Sequence, residues 1–283
     1  GNLTGGEDPT VTVADYSAAF AALEGYYYNT IALDIDDDEN MTMSRLLYSY
    51  LNEAYPMGKN AIAVYGQKST VDFATRLKNA KSFNDYKAVF VGGGWKVGTE
   101  NKDGVLSICR TAGIIAATPA NQSITHLAID GATDVCESLT YAQREEAVLA
   151  GALMPSMSPE GLVWFDSGIN SLTVLDQNDD EGWKKIRRTK TRFELFDRMD
   201  RMIAPLVGRI TNDSDGQANV IQVGLRVLKA MVNERKLKAG ATMDLDPDNP
   251  PVGDSAWFII AVDDNDSLEK VYLHYHFRYA AAA

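Results

Sequence analysis

Three stretches decide the fold class of this chain: Asn60-Ala61-Ile62-Ala63-Val64-Tyr65, then Ser69-Thr70-Val71-Asp72, then Lys87-Ala88-Val89-Phe90-Val91-Gly92-Gly93-Gly94. The first and last are short apolar runs bounded by turn-forming residues, the pattern of strands covered on both faces. Between them, Ser69 and Asp72 have capping-box spacing and open a helix to about residue 80. Strand, helix and strand in that order make a parallel, right-handed crossover.

The alternation continues outward from this unit. Upstream, Thr12 and Asp15 form a second capping-box candidate for a helix to Leu23, Gly25 stops it, and 28–34 reads as a strand. Residues 47, 50, 51 and 54 place one apolar face on a helix over 43–55, closed by Pro56. Downstream come a helix over 103–117, a strand over 124–129, and a helix capped by Thr140 and Gln143 that stops at Gly151. Residues 1–160 are therefore expected to form an α/β domain, a largely parallel sheet with helices on both faces. After Pro155 and Pro159 the texture changes, and residues 161–283 read as an α+β C-terminal domain. Strands over 162–165 and 171–174 flank a Gly168-Ile169-Asn170 turn and are expected to pair as a hairpin. Helices over 183–205 and 217–238 follow, and the continuous apolar run 257–262 suits a strand covered on both faces. The end alternates, with Val271, Leu273, Tyr275, Phe277 and Tyr279 on one side and Tyr272, His274, His276 and Arg278 on the other.

Composition narrows the function. At 283 residues the chain can bury a real core, and its two cysteines, Cys109 and Cys136, lack the density of a disulfide scaffold, which favours a reduced compartment. A formal charge of −12 argues against nucleic acid, because phosphate affinity needs clustered cations. No apolar run of about eighteen residues is present, so membrane anchoring is not expected.

Several motifs fail on inspection. Asp34, Asp36, Asp38 and Asn40 alternate like a calcium loop, but Glu39 stands where glycine is needed and Arg45 where the bidentate acid belongs. Gly92-Gly93-Gly94 follows a strand, but lacks phosphate-loop spacing and the next helix starts too late. His274 and His276 share a strand face and His126 is a conceivable third ligand, yet no acidic partner is specified and exposed histidines explain the pattern. No Gly-x-Ser-x-Gly elbow is present. No cofactor, metal or catalytic group is expected.

Two features remain. Lys184, Lys185, Arg187, Arg188, Lys190 and Arg192 crowd nine positions of an acidic protein, with Lys184, Arg188 and Arg192 on one helical face and Trp183, Ile186, Phe193 and Phe196 turned to the core. Glu194, Asp197 and Asp200 offer local balance; otherwise the face is open to an acidic partner. The alternating end either docks at home or, as an edge strand, completes the sheet of another chain.

The order Ile169-Asn170-Ser171-Leu172-Thr173, Asp179-Asp180-Glu181-Gly182-Trp183-Lys184-Lys185-Ile186-Arg187-Arg188, Leu206-Val207-Gly208-Arg209-Ile210-Thr211-Asn212 resembles the C-terminal part of contractile phage tail sheath proteins. Leu3-Thr4-Gly5-Gly6, Asp15-Tyr16 and Leu23-Glu24 resemble the start of the same family's conserved core. The resemblance implies a structural subunit of a virion tail, assembled in the bacterial cytoplasm. It implies hexameric rings stacked on a tail tube, bounded by baseplate and tail terminator proteins and joined by exchanged strands. A type VI secretion or extracellular injection sheath shares this mechanics. A ligand-binding or enzymatic α/β domain is the distant alternative. Whole sheath subunits carry an arm before Thr4, so a trimmed or compact version is expected.

Overall fold

The computed structural model describes residues 11–177 and 180–277. In chain order the first half comprises α1 (Val13–Leu23), β1 (Thr30–Ala32), α2 (Thr42–Ala54), β2 (Ile62–Gly66), α3 (Phe73–Phe83) and β3 (Ala88–Val91). It continues with β4 (Trp95–Val97), β5 (Glu100–Lys102), α4 (Val105–Ala117), β6 (Asp134–Val135), α5 (Tyr141–Leu149) and β7 (Ala152–Leu153). The second half holds β8 (Pro155–Met157), β9 (Val163–Phe165), α6 (Ile186–Ile203), α7 (Ser214–Asn233), β10 (Thr242–Leu245) and β11 (Phe258–Ala261).

The predicted parallel sheet is present, with strand order β1-β2-β3-β7 and every pair parallel. Its central strands β2 and β3 are buried on both faces, which is why they read as unbroken apolar runs. Ala61, Ala63, Tyr65, Ala88, Phe90 and Ala152 turn toward a core built with Leu47 and Leu51 of α2 and Leu77 and Phe83 of α3. Ile62, Val64, Val89, Val91 and Leu153 turn the other way, onto Ile108 and Ile115 of α4 and onto Ile186 and Phe193 of α6. Each such aliphatic side chain contributes about 1.5–3 kcal/mol by leaving water.

Both Thr-led capping boxes form as read: Thr12 with Asp15, and Thr140 with Gln143. Ser69 does not cap. Its backbone N–H donates to Asp103 at 2.7 Å, its hydroxyl donates to the same carboxylate, and Asp72 caps α3 instead. The glycine triplet is a packing device: a Cβ on Gly94 would lie 2.5 Å from the Lys102 carbonyl, and one on Gly92 would overlap the Met154 sulfur.

Four expected strands differ. Residues 124–129 make only two isolated bridges, Thr125 with Phe165 and Ala128 with Trp164, because His126 takes a φ of 56° that no strand tolerates. The stretch 162–165 pairs with β8 rather than with 171–174. There the Ser171 N–H donates to the Ala88 carbonyl and its hydroxyl is held at Asp85, so polar side chains replace a ladder. The run 257–262 provides β11, but β11 pairs only with β10 and is not covered on both faces: Ile259 is 52% exposed.

A third core gathers Leu195 and Met199 of α6, Val220, Val227, Leu228 and Met231 of α7, and Met243 of β10. Gly224 leaves room for Met243 against α7. Helix α6 therefore enters two cores, its first half against the parallel sheet and its second half against α7 and the hairpin.

Candidate functional site

The joint at the start of α6 is built by the Ile169–Thr173 stretch. Asn170 is fully buried; its amide donates to the Trp183 carbonyl at 2.7 Å while its oxygen accepts from the Leu172 N–H at 3.1 Å. A bridge between Ile169 and Lys185 fixes the entrance to the helix. Asp180 then accepts from the Gly182 N–H and closes a short 3-10 turn over Glu181–Lys184 that leads into α6.

The structure gathers the basic residues at this joint, but turns most of their charge inward. Lys184 pairs with Glu181 at 3.0 Å. Lys185 reaches Asp266 at 2.8 Å and Glu269 at 3.5 Å. Arg188 grips Asp264 in a two-pronged contact, both N···O distances being 2.6 Å, and reaches Asp180 at 2.9 Å. Arg187 is 2% exposed, with Asp266 at 3.8 Å. Arg192 lies over the Trp183 ring at 3.3 Å. Lys190 donates to the carbonyls of Ile115 and Thr118 at the end of α4. Burial holds the Arg187 and Arg192 pKa values below the usual guanidinium range and takes Lys190 down to about 8. The expected outward basic face is thus engaged within the chain, Arg188 by the acidic segment around 264–269, Lys184 by Glu181 and Arg192 by the Trp183 ring; Lys185 and Arg187 beside it also turn to that segment. The sequence did not reveal this, because those acids lie about eighty positions away.

A second charged cluster ties α6 to the end of α7. Arg198 forks onto Glu234 at 2.8 and 2.8 Å and also pairs with Glu194, while Lys236 reaches Glu194 at 2.7 Å and Glu234 at 2.6 Å. The Arg198 fork leads, and with Lys236 it holds the Glu234 carboxyl at about 2. A cleft of about 430 Å³ opens beside the cluster, lined by Tyr27, Lys190, Asp197 and Arg201 among others. Its polar groups are engaged with one another: Asp197 accepts from Tyr27 at 2.7 Å and from Asn60 at 2.9 Å, and Arg201 covers the Tyr27 ring.

Unpaired positive charge lies elsewhere. Asn219, Gln222, Arg226 and Lys229 follow helical spacing along the exposed side of α7, and Arg235 and Lys238 follow just beyond it. Among the described residues none of these four cations pairs with a carboxylate. Their spacing was present in the sequence, but the denser run at 184–192 concealed it.

The alternating end is exposed. Val271, Leu273, Tyr275 and Phe277 are 63%, 66%, 73% and 81% exposed, and none of the described residues beyond 264 belongs to a strand. Tyr279, like Leu3-Thr4-Gly5-Gly6 and Asp179, lies outside the described residues. The β10–β11 hairpin pairs with no third strand among the described residues. His126 stacks on Trp164 at 4.2 Å, and the described residues contain no group of three His, Cys, Asp or Glu placed to hold a metal ion. No helix among them is long and apolar enough to cross a membrane.

Comparison with known proteins agrees with this architecture. The fold is similar to that of a sheath tail protein from Desulfitobacterium hafniense, with a TM-score of 0.76 and 19% identity over 93% of this chain and 62% of that one. A sheath tail protein from Listeria innocua gives 0.72 and 17%, with the same coverage. The contracted helical sheath of the anti-feeding prophage gives 0.68 and 12% over 94% of this chain and 76% of that one. In sequence the chain is 27% identical over 239 residues to the uncharacterized Bacillus subtilis protein YqbK, covering 82% of this chain and 47% of that protein. It therefore spans under two thirds of the length of YqbK and of the first two sheath structures. The model of the phage tail sheath protein central domain matches residues 10–170, more than half of the chain, and the chain belongs to that family.

Proposed function

We propose that this chain is a structural, non-catalytic subunit of a contractile sheath, and that copies of it build stacked six-fold rings around a tail tube. The observation that carries this reading is a pair of incomplete elements in one molecule. Residues 271–277 expose apolar side chains at period 2, and the β10–β11 hairpin has no third strand among the described residues and exposes Ile259 and Ile260. Packing of Met243 on α7 holds the hairpin in place but does not satisfy the main chain at its edges, and hydrogen bonds from an added strand would do so. In the proposal Val271, Leu273, Tyr275, Phe277 and Tyr279 of one copy dock on the hairpin of its neighbour, while the α/β bodies stay free to move during contraction.

The tube, baseplate and terminator are the remaining partners of this reading, and the particle is a virion tail assembled in the bacterial cytoplasm. An acidic partner surface would meet Arg226 and Lys229, with Lys185, Arg187 and Arg188 acting behind them by positioning the C-terminal segment, and with Lys184 on Glu181 and Arg192 on Trp183 holding the entrance to α6. The fold likeness to the contracted sheath complex of an extracellular contractile injection system supports a second reading, an extracellular injection particle with the same mechanics.

The test is a chain ending at Lys270, co-expressed with the adjacent tube protein and viewed by electron microscopy. The expected result is a folded monomer with an unchanged melting temperature and no sheathed tubes. Sheathed tubes formed by the shortened chain would overturn the proposal.

A further inference from the structure

The acidic segment between β11 and the exposed end carries an inference of its own. Asp264, Asp266 and Glu269 face Arg188, Lys185 and Arg187 across the first turns of α6. The backbone adds a short zipper: Lys238 N–H donates to the Asp263 carbonyl at 2.7 Å, and Asn265 N–H donates to the Lys236 carbonyl at 3.0 Å. The Asn265 amide also reaches the carbonyls of Arg235 and Leu237. Just past this seat the chain stands in solvent, with Val271 at 63% exposure.

The seat is charged and incompletely satisfied. Arg187 is buried, yet its Nε and Nη1 find no hydrogen-bond partner, and neither does Glu269 Oε1. Buried donors left unpaired weaken the state that buries them, so this contact is less secure than its ion pairs suggest. Three cations and three carboxylates meet while the segment is seated, and outside the segment Arg188 keeps one further carboxylate, Asp180. Once lifted, the six residues 264–269 would add about 20 Å of reach to the exposed end, and the first turns of α6 would present Lys185, Arg187 and Arg188 to solvent.

We propose that Asp264–Glu269 is a detachable electrostatic anchor, which when seated fixes the exit of the terminal segment and masks the cations of α6, and when released lengthens that segment and unmasks them. The consequence for sheath mechanics rests on the functional reading above; the anchor itself is a property of the single chain. It converts a short link between neighbours into a long one without refolding either core.

Hydrogen exchange on the full-length monomer tests it. In the variant Asp264→Asn with Asp266→Asn, shape is kept and charge is removed. The amides of Asn265 and Lys238 should exchange about tenfold faster while those of β2 and β3 keep their protection. Sodium chloride at about 1 M should accelerate the same two amides in the parent chain, since it shortens the screening length to about 3 Å. Unchanged exchange at both amides in the variant would overturn the anchor, and so would equal acceleration in β2 and β3, which would mark the segment as inseparable from the fold. Because no assembly is involved, either failure leaves the sheath reading standing, and a sheath that failed to form would leave the anchor standing.

Discussion

Lys190 shows how a residue of the basic run acts when it does not face water. Its ammonium enters the seam between α4 and α6 and accepts the role of a C-terminal cap, donating to Ile115 and Thr118. Burial lowers its pKa from 10.5 to about 8, so the unfolded chain holds this proton more tightly than the folded one. Between pH 8 and 10.5 the unfolded state binds more protons, and this group makes stability rise with pH across that window. Lys190→Met should abolish that rise in urea titrations over the same window. A flat profile in the parent chain would contradict the assignment. The sequence marked Lys190 as one of six cations but gave no direction, because a helix face is defined only relative to what packs on it. Asn170 was similarly legible as part of a motif, while its two hydrogen bonds to the joint became visible only in three dimensions.

Elements were read best where the local signal and the packing agree. The Thr12 and Thr140 boxes and the apolar stripe of α2 are local, and they appear as expected. β11 was misjudged because a continuous apolar run looks the same in a central strand and in one whose second neighbour is missing. Helix α6 adds what no single element could show, since it belongs to two cores and is fastened to α7 by Arg198, Glu234, Lys236 and Glu194. The depressed Glu234 pKa, from 4.5 to about 2, gives that fastening a pH signature. Its contribution is fully present above pH 4.5 and is lost as pH falls toward 2, when the carboxylate takes a proton in the folded state too. Glu234→Gln should therefore be less stable than the parent at pH 7 and approach it near pH 2.5, as read by urea denaturation at the two pH values. An equal difference at both would show that the side chain acts through packing alone.

At the scale of the whole molecule the parallel sheet was legible because buried strands and capped helices alternate, whereas the distribution of free charge was not. A chain of net charge −12 repels its copies unless opposite charge is placed where they meet. Pairing consumes most cations of α6 and leaves Arg226 and Lys229 exposed on α7. Surface positions of this kind change folding stability by only about 0.5 kcal/mol, so their effect on association can be measured without loss of fold. Arg226→Glu with Lys229→Glu should leave the melting temperature in place and strongly reduce sheath formation on the tube. It should also weaken the dependence of the remaining assembly on ionic strength, because that dependence reports opposite charges brought within a screening length of about 8 Å. Light scattering across a salt series, with microscopy of the products, supplies both readings. Full assembly by the variant, with the parent's salt profile, would show that this face of α7 meets no acidic partner.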